Sequence, residues 1–424
     1  MTDTSIARLL AWEALDSRGK PTVGCAVVLA GGARGAATVP SGASTGRHEA
    51  RELRDGGARY AGAGVLRAVA GVTGEIADTV RGYDASDQVG LDGALRALDG
   101  TQDLGRLGAN AVLAVSVAAA RSAAAAAGRP LYEHVTCENG RPLLPLPMVN
   151  IISGGAHAGR AIDVQDFLAV PLGARSFREA IEWAGRVRAS TAEVLAADGL
   201  PVALVADEGG LGPPLPSNRR ALELLARGIE RAGLVPGEQV GIAIDVAASQ
   251  FASDGGYALA ADDRVLSADE LVEELAEWCT AYPIVSIEDP LDEDDWAGWR
   301  QATSKLGDRQ LLGDDLFVTD MARLERGIAE HVANAVLVKP NQTGTLSSAR
   351  AVVGRAREAG YRTVLSARSG ETEDDWLSDL AVGWRAGQIK VGSTMRSERT
   401  AKWNRLLRLE AELGDGATYA GGPS

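Results

Sequence analysis

The chain has 424 residues, 46% apolar and 24% charged, which suits two domains or a barrel with an appendage and leaves little room for extended disorder. Its formal net charge of −14, from 43 basic and 57 acidic residues, argues against a nucleic-acid or anionic-membrane partner while permitting a local cationic pocket. Three widely spaced cysteines, Cys25, Cys137 and Cys279, form no CxxC pair and point to a reducing, cytoplasmic setting without structural zinc.

The opening MTDTSIARLL lacks the apolar core of a leader peptide. Residues 5–40 alternate like antiparallel strands, with turns at Ser17-Arg18-Gly19-Lys20-Pro21 and at Gly31-Gly32. VPSGASTGRHEA, residues 39–50, is a Ser/Gly loop that can fold over phosphate and metal through Ser41 and its backbone amides. Residues 60–129 read as helical. Within them ANAVLAVSVAAARSAAAAAG is alanine-rich and interrupted by Ser116, Arg121 and Ser122, as in a packed helix rather than a membrane span. Strands followed by helices predict an α+β domain over 1–135.

From about residue 145 the rhythm changes. GIAIDVA, PIVSIEDP, QLLGDDL, NAVLVKPNQ, RTVLSARSG and GQIKVGS are short apolar runs that end in a polar residue and precede helical segments. The markers Glu288, Asp314, Lys339, Ser366 and Lys390 are separated by 26, 25, 27 and 24 residues. That spacing predicts an α/β barrel over 136–424, each strand followed by a returning helix.

Barrel active sites sit at the C-terminal ends of the strands. Here those ends carry Asp245, Glu288, Asp314, Lys339, Arg368 and Lys390. Three carboxylates converging in one mouth repel unless a cation lies between them, and oxygen ligands without His or Cys select Mg²⁺. Asp245, Glu288 and Asp314 are therefore the predicted metal ligands. Lys339 is the candidate base, its pKa lowered by a nearby dication, with a salt bridge to Asp315 expected to orient it. In VADEGGLGPP, Glu208 precedes two glycines that allow a sharp turn, and it is the candidate acid. In TVLSARSGETEDDW, Arg368, Ser369 and the Gly370 backbone can hold an anion, with the apolar Ala367 in their midst.

LDSRGKPTV, VPSGASTGRHEARELRDG, LGANAVLAVS, GGAHAG, ADEGG, YPIVSIEDPLDEDDW, GDDLFVT, LVKPNQTGT, RSGETED and GQIKVGS together resemble the enolase (phosphopyruvate hydratase) family over nearly the whole chain. The resemblance implies a capping domain and a barrel, two Mg²⁺ per site, a small anionic phospho-carboxylate substrate and a homodimer. By the same resemblance Asp245, Glu288 and Asp314 bind metal, with Ser41 of the closing loop joining them. Lys339 removes the proton next to the carboxylate and Glu208 helps the hydroxyl leave. Lys390, Arg368 and Ser369 bind substrate, and His157 of GGAHAG lies near the departing group.

The match departs from the family's pattern around phosphate and leaving group. Ala367 stands where the family carries a histidine, and Asp166, in VQDFLAV, replaces a glutamate of the acid network. That carboxylate is withdrawn by one methylene, about 1.5 Å. Gln250 replaces a glutamate, and LGPPLP and VGSTMRSER depart from the usual runs. Metal ligands, base and acid persist, which favours an enzyme over a non-catalytic binding protein. Two enzyme readings stay open: a housekeeping hydratase converting 2-phosphoglycerate to phosphoenolpyruvate, or a branch resembling the carboxyphosphonoenolpyruvate synthases of phosphinothricin-type antibiotic biosynthesis. In the second, Ala367 makes space for an altered phosphoryl substituent on a phosphono-carboxylate.

Overall fold

A computed structural model describes residues 3–43, 45–136 and 140–422; Ser44 of the Ser/Gly loop and Cys137 lie outside the described residues. The N-terminal part opens with an antiparallel sheet, β1 (Ile6–Leu15), β2 (Pro21–Leu29) and β3 (Arg34–Thr38), in that order. Helices α1 (Gln88–Asp99) and α2 (Ala109–Ala126) follow. Helix α2 is long and apolar enough to cross a membrane, yet 83% of it is buried within the fold, against β2 and β3. Its alanines permit a close approach. A Cβ placed on Gly35 of β3 would lie 2.3 Å from the Ser122 nitrogen, an overlap whose relief typically costs about 1–3 kcal/mol. The polar side chains at this contact are satisfied: the Ser122 hydroxyl is shared between Val27 O and Ala118 O, and Arg121 Nη1 donates to Ala36 O.

The C-terminal part is a closed eight-stranded barrel. Its strands are β4 (Leu146–Ser153), β5 (Asp166–Val170), β6 (Gly241–Asp245), β7 (Ile284–Glu288), β8 (Gln310–Gly313), β9 (Ala335–Val338), β10 (Arg362–Ser366) and β11 (Gln388–Gly392). Leu146, Met148, Leu168, Ala243, Leu312, Leu337 and Val364 form an apolar cluster contributed by six of these strands, leaving polar chemistry to the strand ends. Helices such as α3 (Phe177–Ala197) and α4 (Asn218–Arg231) bury their apolar stripes against the strands.

The expectation of a helix after every strand fails at the first turn of the barrel. Strand β5 runs antiparallel to both β4 and β6, with only a short helical turn, Gly155–Ala158, between β4 and β5. The reversal has a consequence for the site. Asp166 is the first residue of β5, and antiparallel pairing sets it opposite Asp245, the last residue of β6, which in turn pairs with Glu288. A strand beginning thereby delivers a carboxylate to the end of the barrel where its neighbours terminate.

Candidate active site

Asp245, Glu288, Asp314, Lys339 and Lys390 are all brought to this mouth. Lys390 Nζ bridges Asp245 Oδ2 and Glu288 Oε2, each at 2.7 Å. Lys339 is paired with Asp314, not with Asp315 as expected. The cause is local. Asp289 accepts from the backbone N–H of Asp314 at 3.0 Å and of Asp315 at 2.7 Å, fixing how the two neighbouring carboxylates diverge. The second oxygen of Asp314 accepts from Gln342 Nε2 at 2.9 Å. Burial pulls against the Lys339 charge, but Asp314 overrides it and holds the ammonium above its ordinary value, opposite to the lowering expected of a base. Glu288 is pushed well up by burial and then by Asp245, and its Oε1 has no hydrogen-bond partner.

A second group lies beside the first. His157 Nδ1 meets Asp166 Oδ2 at 2.8 Å, and its Nε2 is 3.9 Å from Glu208 Oε1. Asp166 Oδ1 accepts from Ser153 Oγ at 2.9 Å and from Asn150 Nδ2. The shorter aspartate therefore still reaches its histidine, and both its oxygens are engaged within this group. Burial disfavours the imidazolium, but Asp166 and Glu208 outweigh it and raise His157 to about 9. Burial likewise works against the Glu208 carboxylate, yet His157 and then Arg399 hold it below the ordinary range. Glu208 keeps its place because Gly209 turns with φ +86°, where an added Cβ would meet Met395 O at 2.7 Å.

The Ser/Gly loop closes this mouth. Ser41 and Gly370 exchange backbone hydrogen bonds, at 2.8 and 2.9 Å. The Ser41 hydroxyl donates to Glu52 and accepts from Arg54 Nη2, so in this arrangement it is engaged away from the carboxylates. Ser369 Oγ accepts from the Ala43 amide at 2.6 Å. Arg368 grips Glu49 of the loop with both guanidinium nitrogens, at 2.8 and 3.2 Å. Further out, Arg47 pairs with Glu293 and Asp292, and His48 with Asp294. Ala367 is 5% exposed; its amide donates to Lys390 O at 2.9 Å and its methyl joins the apolar core.

A family model described as the enolase C-terminal TIM barrel domain matches residues 141–424, and one for the enolase N-terminal domain matches residues 6–135. The chain belongs to the enolase family. It is thus an enolase-superfamily enzyme, of lyase type.

Members of the enolase family are typically Mg²⁺-dependent, and the donor set suits a hard cation. Asp245, Glu288 and Asp314 are all-oxygen and buried, with Lys390 and Lys339 as their present counter-ions, and the unpartnered Glu288 Oε1 is what a cation would satisfy. Among the described residues, the acidic groups whose ligand atoms all lie within 4.8 Å of one another are His157-Asp166-Glu208 and Asp289-Asp314-Asp315; the predicted set Asp245, Glu288 and Asp314 does not converge that closely. Both are otherwise explained: the first is an ion-paired histidine relay, and in the second both Asp289 oxygens brace backbone amides.

Four contributors to this site received no role from the sequence, Gln250 being noted only as a departure from the family's pattern. Asp289 was visible as part of IEDP, but its backbone-bracing role was not. Gln165 and Gln250 link Asp245 to the Ala156 amide: Gln165 Nε2 donates to Asp245 at 3.0 Å, Gln250 Nε2 to Gln165 Oε1 at 2.5 Å, and Gln250 Oε1 accepts from Ala156 N at 3.3 Å. Glu49 is the fourth.

Proposed function

We propose that the protein forms an enolpyruvyl product from a small phosphono-carboxylate, in the manner of a carboxyphosphonoenolpyruvate synthase, by enolase-type proton abstraction. Ala367 carries this reading. An alanine precedes Arg368 and Ser369 where the resemblance places a histidine, so no side-chain donor stands at that position for the phosphorus end of the substrate.

The remaining residues support the shared chemistry. Lys339 is placed to take the proton from the carbon next to the substrate carboxylate, once Asp314 is engaged elsewhere. Lys390 faces that carboxylate, and Arg368 and Ser369 the phosphorus oxygens after Glu49 yields. Two Mg²⁺, held by Asp245, Glu288 and Asp314 and by the Ser41 loop, would neutralise the negative charge that builds as the proton leaves. His157 stores a proton beside Glu208, and the pair can pass it toward a leaving group. That relay, with Asp166 still reaching His157, favours a second reading as a phosphopyruvate hydratase.

Steady-state conversion of 2-phosphoglycerate to phosphoenolpyruvate with Mg²⁺ separates the two. The specialised reading expects a low rate that rises at least about tenfold in Ala367→His with Asp166→Glu, since a lost donor to charged oxygen is worth about 1.5–3 kcal/mol. Robust conversion by the unmodified protein would contradict it.

A further inference from the structure

We infer that Arg399 is the positioning residue that sets the anion-binding loop and the acid Glu208 relative to each other; this rests on the roles proposed above. Arg399 lies in α5 (Ser397–Leu413) and is 0% exposed. Its Nη1 donates to the carbonyls of Arg368 and of Val391, the latter at 3.0 Å, and its Nη2 donates to the carbonyl of Ser369. The same Nη1 stands 4.0 Å from Glu208 Oε1. One planar fork therefore joins three chain segments: the anion loop after β10, strand β11 just past Lys390, and the turn bearing Glu208.

A fully buried guanidinium is costly unless its charge and donors are used. Here the Nη donors go to the carbonyls of Arg368, Ser369 and Val391, Nε makes no hydrogen bond and lies 3.5 Å from Glu398 Oε1, and Nη1 also faces the proposed acid at 4.0 Å. The neighbouring bonds serve the same end. Ser393 N donates to Glu208 O at 2.8 Å, closing the acid's turn onto the end of β11. Lys402, on the next turn of α5, donates to Thr372 O and pairs with Glu371, each at 2.7 Å. Glu371 in turn accepts from the Arg368 amide at 3.2 Å. Two buried cations thus hold the 368–372 loop from beneath, but only Arg399 also reaches Glu208. Lysine cannot replace it, because a point ammonium cannot reproduce a fork spanning three carbonyls.

The test is amide hydrogen exchange on the full-length Arg399→Lys and Arg399→Gln proteins, with calorimetric titration of 2-phosphoglycerate in Mg²⁺. Peptides covering 366–372 and 206–211 should both exchange at least about tenfold faster in the variants, while residues 284–288 keep the parent rate. Affinity for 2-phosphoglycerate should fall at least about tenfold alongside. Parent rates in both segments overturn the inference, and so does loosening of 366–372 alone. Acceleration spread evenly over the barrel also overturns it, since that is what a merely structural arginine would give. Should Arg399→Lys misfold, Arg399→Gln decides by the same criteria. If both segments loosen but the parent protein does not bind 2-phosphoglycerate, the positioning role stands and the second reading, as a phosphopyruvate hydratase, fails.

Discussion

Replacing Asp166 by Asn removes the charge from the partner that holds His157 as an imidazolium. The imidazole is buried, 2.8 Å from Asp166, and raised from 6.5 to about 9. A shift of that size corresponds to about 3 kcal/mol of preference for the charged form. The sign follows from the direction. A folded-state pKa above the unfolded value adds stability that is complete below about pH 6.5 and is lost as pH rises through about 9. Asp166→Asn should therefore lower the unfolding free energy at pH 6 by less than about 3 kcal/mol, since burial raises the Asp166 carboxyl and the variant removes that cost, while Glu208 at 3.9 Å retains part of the imidazolium's stabilisation. The penalty should shrink toward zero by about pH 10, where His157 is neutral in both proteins. Urea unfolding at several pH values measures this, and imidazole NMR resolves it by site, because the chain has 4 histidines. His134, held below its ordinary value by burial, is an internal contrast. A pH-independent penalty, or an ordinary titration of His157 in the unmodified protein, would refute the reasoning.

Titration with Mg²⁺ should show at least about tenfold weaker binding in Asp314→Asn than in the parent, and equal affinity would remove Asp314 from the ligand set. Glu49→Gln should bind 2-phosphoglycerate several-fold more tightly, because Glu49 competes with the substrate anion for Arg368. Calorimetry reads this directly, and unchanged or weaker binding would contradict the competition. Light scattering at micromolar concentration should report a homodimer; a monomer would contradict that expectation.

The barrel was readable because its strands are apolar on both faces and end in charge at a regular interval. The reversed β5 was not: DFLAV looks like any buried strand, and direction is set by the short connection from β4, not by its own residues. The ion pair of Lys339 was misassigned for a similar reason. Asp314 and Asp315 are equivalent in sequence, and only the Asp289 brace decides which one faces the amine. Glu49 and Arg399 escaped notice because their roles are long-range contacts. Glu49 meets Arg368 across the two domains, and Arg399 works through backbone carbonyls, which leave no trace in side-chain chemistry. Asp166 could be singled out as a departure, but that its shorter side chain still meets His157 is a matter of where β5 begins.

The most direct test of the account is a single NMR time course of 2-phosphoglycerate with the unmodified protein and Mg²⁺ in deuterated water. It follows deuterium entering the carbon next to the carboxylate and phosphoenolpyruvate appearing in the same tube. With Lys339 intact and a methyl at Ala367, deuterium should enter the substrate faster than product forms. Rapid phosphoenolpyruvate formation would contradict the specialised reading, and the absence of both signals would contradict the proposed proton abstraction itself.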